Sequence, residues 1–143
     1  MTLSEDLLDM IRRFEGLRLT PYLCSAGVPT IGYGHTGPEV HIGGPRITRS
    51  LAETFLIEDA SLALRMAIKL SPCLALHPDR AAAVADFIFN LGATRYKAST
   101  LRRRVNELEW GDAADEIRRW VWGGGKRLPG LVKRRAAEAV LLA

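Results

Sequence analysis

One stretch of the chain limits the available folds more than any other. From Thr20 to His35 the residues turn β-like and are punctuated by Pro21, Gly27, Pro29, Gly32 and Gly34, a pattern that excludes a continuous helix. Two strands are predicted, Thr20 to Cys24 and Thr30 to Tyr33, with Ser25-Ala26-Gly27-Val28-Pro29 turning between them. A five-residue loop of that kind makes Cys24 and Thr30 direct cross-strand neighbours, with both side chains on one face.

The flanking sequence has helical period. Thr2 and Glu5 form a T-x-x-E capping box, and Leu3, Leu7, Met10, Ile11 and Phe14 follow on one stripe before the stop at Gly16, so Glu15 is expected at the end of a first helix. Residues 37–46 read as a loop or a short edge strand. Beyond them the sequence reads as helical to the end. Thr48 or Ser50 caps a helix reaching about Leu70, Pro78 opens one ended by Gly92, Ser99 caps another, Gly111-Asp112 opens one running to about Trp122, and Pro129 opens the last. The expected class is α+β, mostly α. It comprises one domain over 1–143, with a small N-terminal lobe (about 1–47) carrying the hairpin and a helical lobe (about 48–143).

A chain of 143 residues can bury a core without disulfide or metal staples. Cys24 and Cys73 lack zinc-ligand spacing, which leaves either two free thiols or one disulfide. The N-terminus has no basic and apolar leader pattern, and no run of about 18 apolar residues spans a bilayer, so synthesis and folding in the cytoplasm are expected. The net charge is +4, and residues 95–143 carry 12 Lys and Arg against 6 Asp and Glu. That excess suits nucleic acid, an anionic envelope polymer or a phospholipid surface.

Glu15 stands out because a carboxylate at a helix C-terminus faces the negative end of the macrodipole. It is followed at fixed intervals by Cys24 and Thr30. Around them run Glu15-Gly16-Leu17-Arg18 and Thr30-Ile31-Gly32-Tyr33-Gly34-His35. Here the sequence resembles the phage-type lysozymes of glycoside hydrolase family 24, whose signature is a glutamate, eight residues, an aspartate or cysteine, five residues and a threonine. The likeness continues through Phe89-Asn90-Leu91-Gly92, Ser99-Thr100-Leu101, Trp120, the string Gly124 to Leu131 and Arg134-Arg135-Ala136-Ala137-Glu138.

The resemblance implies a lysozyme-like fold with a cleft between the lobes. The implied reaction is hydrolysis of the β-1,4 bond between N-acetylmuramic acid and N-acetylglucosamine in peptidoglycan, by a phage or prophage endolysin. Glu15 is implied as the general acid, which must be held protonated until it meets the leaving oxygen. Cys24 and Thr30 are implied to assist water attack. Most familiar members carry aspartate at position 24. The cysteine could act as a tuned thiolate, as a weakly assisting thiol, or as a nucleophile that changes the outcome to retention. A catalytically weak wall-binding protein and a lytic transglycosylase are the alternatives.

Asn90 resembles a substrate-facing amide, and Tyr33 and His35 lie in the same motif as candidate substrate contacts; His35 also reads as a structural histidine bonded to a carboxylate of the other lobe. Trp110, Trp120 and Trp122 are read as packing the helical lobe, or as sugar platforms. Gly123-Gly124-Gly125-Lys126 lacks the frame of a phosphate loop. The basic clusters Arg102-Arg103-Arg104, Arg118-Arg119 and Lys133-Arg134-Arg135 are read as solvated helix faces, or as a field drawing the enzyme to the envelope, with Arg134 or Arg135 also a candidate ion-pair partner reaching the Glu15 cleft. No metal site, cofactor or nucleic-acid partner is expected. The protein is expected to be a monomer without stable membrane insertion, released to the wall by a separate membrane-permeabilising protein (a holin) without a stable complex.

Overall fold

The computed structural model describes residues 2–143, with helix ends where caps and breakers stand. Helix α1 spans Glu5–Glu15; its cap is Ser4, whose Oγ accepts from Leu7 N–H at 3.2 Å, rather than the expected Thr2. Strands β1 (Arg18–Leu23) and β2 (Pro29–Gly32) follow, then helix α2 (Arg49–Leu70), capped by Thr48 through Leu51 N–H at 3.1 Å. After a 3₁₀ turn at Pro72–Leu76 come α3 (Pro78–Leu91), α4 (Ala93–Lys97) and α5 (Thr100–Asn106). Ser99 caps α5 by accepting from Arg102 N–H. Helix α6 covers Trp110–Ile117, and the last helix, α7, covers Pro129–Leu142.

Two expectations are corrected. The first hairpin pairs Tyr22 with Thr30 and Leu23 with Pro29, and Cys24 N–H donates to Val28 O at 3.1 Å. The loop therefore has three residues, not five, and Cys24 stands opposite Val28. Gly27 is the cause. Its φ of +76° and its N–H bond to Cys24 O at 2.8 Å make a turn ending in a left-handed residue, a common closure for three-residue hairpins. Thr30 remains on the face of Cys24, one diagonal away. Towards Arg18, four steps along β1 match two along β2; Pro21, which has no N–H to donate, lies in this irregular segment.

The second correction concerns the C-terminal third. Helix α6 stops at Ile117 instead of about Trp122, and the connection to the last helix, with Trp122 at its start, forms a second hairpin, β3 (Trp122–Gly123) with β4 (Lys126–Arg127). Three consecutive glycines make a helix there expensive.

The chain divides into two compact units, Leu8–Asp59, and Ala60–Ala143 with the N-terminal residues up to Leu7. In the first, Leu8, Ile11, Ile31, Tyr33, Val40, Ala52 and Leu56 are buried. In the second, α3 is the central helix. Every residue from Ala81 to Ile88 is buried, as expected for a helix covered on all sides, and its alanines let α7 pack closely against it.

Candidate active site

Glu15, Cys24, Thr30, Tyr33 and His35 all belong to the unit of residues 8–59, and Asn90 to the other. Glu15 ends α1, half-buried. Its carboxyl lies against the backbone of Gly34, where a Cβ would stand 2.5 Å from Oε1. Gly34 has φ +72°, so the site needs glycine both for its backbone conformation and for the space above it. The turn that delivers Gly34 is closed by reciprocal backbone bonds between Ile31 and His35, at 2.9 and 2.8 Å.

Cys24 is a free, half-buried thiol. The backbone N–H of Val28 is the largest influence on it, opposed by partial burial and reinforced by Ala26 N–H and the Thr30 hydroxyl. Together they hold the thiol below its ordinary value. Thr30 is itself buried, and its hydroxyl donates to Val28 O at 2.8 Å. A hydroxyl has one proton, so Thr30 serves either that carbonyl or the sulfur, and ionisation of the sulfur favours the second.

Tyr22, which pairs with Thr30, links the two reactive groups. Burial first, then the nearby charge of Glu15 and more weakly that of Cys24, push its hydroxyl up, while Arg18, 4.7 Å from the ring, pulls it down. Tyr22 and Gly34 were not singled out from the sequence; only the register and the tight turn bring them to Glu15.

The two other motif residues follow β2 in the chain. Tyr33 is buried, and burial and its hydrogen bond to Glu53 push its hydroxyl up. Glu53 also accepts from Arg12 Nε and Nη2 at 3.1 and 2.7 Å. His35 is stacked on Phe55 at 4.1 Å and bonded through Nδ1 to Asp59 and Nε2 to Glu39, both at 2.7 Å. Burial opposes its positive charge, but the two carboxylates prevail and raise the imidazole above its ordinary value. Asp59 stands on α2, within the stretch 48–143 where a carboxylate partner was expected, and it groups with His35 in the compact unit of residues 8–59.

In the second unit Asn90, near the end of α3, accepts from Arg135 Nη2 at 2.8 Å. That leaves its amide N–H₂ as the group able to donate. Behind it lies a buried cluster that includes Arg134 and Arg135, which were expected on a solvated helix face or reaching the Glu15 cleft. Arg134 binds Asp86 through Nε and Nη2, both at 2.8 Å, and Arg135 Nη2 donates to Glu138 Oε2 at 3.0 Å. Arg135 Nε stands 2.6 Å from Glu138 Oε1, close but misaligned for a hydrogen bond. Burial and the neighbouring Asp86 hold Glu138 well above the usual carboxylate range. Asp86, although burial raises it, is drawn below that range mainly by Arg134. An acid inside the apolar run Ala81 to Ile88, and an R-x-x-E spacing on α7, were the available signals.

Trp120 packs edge-on against Phe87 at 5.4 Å, and Trp110 receives Arg80 at 4.2 Å, whereas Trp122 is 65% exposed.

The profile of the family described as Phage lysozyme matches residues 12–138. The endolysin of Acyrthosiphon pisum secondary endosymbiont phage 1 is 40% identical, over 99% of this chain and 97% of its own length. Among solved structures, the endolysin from Escherichia coli O157:H7 phage FAHEc1 is similar with a TM-score of 0.83 at 31% identity, over 99% of this chain and 93% of that one. The muramidase domain of SpmX from Asticaccaulis excentricus has a TM-score of 0.84 at 30% identity, over 99% and 97%. The family model spans most of the chain and the relatives match it nearly end to end in sequence and in fold, so the chain belongs to the phage lysozyme family.

Proposed function

We propose that the two units act as a single lysozyme domain hydrolysing the β-1,4 bond between N-acetylmuramic acid and N-acetylglucosamine, with Glu15 as general acid. As a family member the chain is a peptidoglycan-cleaving hydrolase of the endolysin kind. Glu15 protonates the departing oxygen as positive charge develops on the sugar ring. The sulfur of Cys24, as a thiolate, offsets that charge and orients the attacking water. Thr30 works through the sulfur, to which it turns its hydroxyl proton. Asn90 contacts substrate with its amide N–H₂, while Tyr33 and His35 hold the turn that presents Gly34 to Glu15. The observation that carries this reading is the Glu15 carboxyl held against the Gly34 turn, in the same unit as Cys24 and Thr30.

Delivery follows synthesis in the host cytoplasm and depends on a separate holin. The enzyme works as a monomer, with no cofactor, nucleic-acid partner or stable protein complex. Among the described residues no helix is long and apolar enough to cross a membrane.

Mass spectrometry of muropeptides released from purified walls tests the chemistry. The native enzyme should release reducing-end products, Glu15→Gln none, and Cys24→Asp should remain active. An anhydro product from the native enzyme overturns hydrolysis, and an undiminished Glu15→Gln overturns the acid. The pH profile tests the thiolate. Its acid limb should move lower in Cys24→Asp, because a carboxylate ionises near pH 4, below even a depressed thiol.

A further inference from the structure

The β3–β4 hairpin has a feature that cleavage chemistry does not use. Trp122 is 65% exposed, although tryptophan is usually well buried and the other two tryptophans of the chain have ring or cation partners. Its direct cross-strand partner is Arg127, so indole and guanidinium rise from the same face with Cβ atoms about 5 Å apart.

The scaffold beneath them is fixed. Gly124 and Gly125 both have positive φ, +57° and +77°, as a two-residue hairpin turn of the favoured twist requires. Leu128 N–H extends the ladder to Val121 O at 2.9 Å, and Val121 is buried. A Cβ on Gly123 would meet Leu128 Cδ1 at 2.6 Å, so the strand is pressed against its anchor. A side chain presented this way loses little freedom on binding.

The chain segment that carries the hairpin has charge of one sign. From Ile117 to Ala137 there is no Asp or Glu, and Lys126, Arg127 and Lys133 are exposed. A flat aromatic face beside a planar guanidinium suits a ligand with a ring and a carboxylate a short arm apart. A lone aromatic on two short strands offers no broad apolar face for lipid.

We propose that this hairpin is a second wall-binding surface, on which Trp122 stacks against a pyranose ring of uncleaved peptidoglycan while Arg127 binds a stem-peptide carboxylate. The inference rests on the peptidoglycan reading above and concerns retention on the wall.

Cosedimentation with purified peptidoglycan sacculi tests it, using protein that carries Glu15→Gln throughout. Trp122→Ala should bind about tenfold more weakly, Trp122→Tyr should keep most of the affinity, and Arg127→Ala should lose about threefold. On sacculi whose carboxylates have been amidated, parent binding should fall and Arg127→Ala should make no further difference. Thermal unfolding identifies any variant that is not folded, in which case Trp122→Tyr and Arg127→Ala decide. Equal binding by parent, Trp122→Ala and Arg127→Ala overturns the proposal, as does an Arg127→Ala loss that persists on amidated sacculi. A Trp122 effect confined to phosphatidylglycerol vesicles overturns it in favour of a lipid surface. Turbidity is read in the same tubes. Clearing by Glu15→Gln would overturn the catalytic assignment and leave the Trp122 comparison standing.

Discussion

In residues 8–59 charged side chains meet at the edge of water, whereas in residues 60–143 four of them meet out of its reach. The first unit holds Arg12 with Glu53 and His35 with Asp59 and Glu39, where most of the carboxylates are partly or largely exposed. The second holds Asp86, Arg134, Arg135 and Glu138, all essentially buried. Exposed pairs are screened and contribute little each. A buried group matters chiefly through what is left uncompensated when its partner is removed. The first arrangement adjusts the ends of a turn, and the second makes the packing of α3 on α7 all-or-none.

The largest test of that contrast is Asp86→Asn. It leaves the bidentate partner Arg134 buried beside a neutral amide, and a loss of about 3–5 kcal/mol is expected in urea unfolding at pH 7. Because Asp86 is held below the usual carboxylate range, its contribution is present above the unfolded-state value and is lost as pH falls through the lower native one. A loss under about 1 kcal/mol would place this pair with the exposed ones.

Gly34→Ala comes next and moves the test to the first unit. A left-handed alanine is unfavourable by roughly 1–2 kcal/mol. The added Cβ would meet Glu15 Oε1 at 2.5 Å. The carboxyl can swing away, so the larger effect should be on turnover, about a hundredfold loss for displacement near 1 Å. Wall-clearing rates beside a melting curve separate the two. Full activity would show that Gly34 does not position the acid.

His35→Asn should be milder and dependent on pH. Burial opposes the imidazolium, but Glu39 and Asp59 overcome it and raise the folded value. The stabilisation is therefore complete below the unfolded value near 6.5 and fades as pH rises through the folded one. About 1–2 kcal/mol is expected at pH 5.5, after allowance for the partly exposed carboxylates. A melting-temperature difference that does not shrink towards alkaline pH would mean that His35 acts by stacking on Phe55 alone.

The contrast also marks what could be read from residue order. Caps and breakers located most helices, because Thr48, Pro78, Gly92, Ser99 and Pro129 act within one turn of themselves. The register of the first hairpin depended on whether Gly27 adopts a left-handed conformation, which shifts Cys24 from Thr30 to Val28 without moving it off its face. The second hairpin was missed because its strands are two residues long and carry no alternation. The site signature of Glu15, Cys24 and Thr30 was legible by spacing, but Gly34 and Tyr22 enter only through the fold. The buried cluster was illegible for a related reason. Asp86 lies 48 positions from Arg134, and in a basic run an arginine that is buried looks like one that is not.

The smallest effect is expected at Glu138, although it is as buried as Asp86. Burial first, then the neighbouring Asp86 carboxylate, push its carboxyl well above the usual range. A raised value means that its contribution is complete below the unfolded-state value near 4.3 and is lost as pH rises through the native one. Over that interval the native state keeps a proton that the unfolded chain has released. Glutamine has the shape of the protonated acid and keeps a donor for Asp86, so Glu138→Gln should be within about 1 kcal/mol of the native protein at pH 5. The balance should then move in the variant's favour as pH rises, since the amide has no proton to lose. Urea unfolding of both proteins from pH 5 to pH 9 measures this directly. If Glu138→Gln instead loses as much as Asp86→Asn at every pH, the cluster holds two ionised carboxylates against two guanidiniums. The distinction between a retained proton and a second buried ion pair would then be settled against the first.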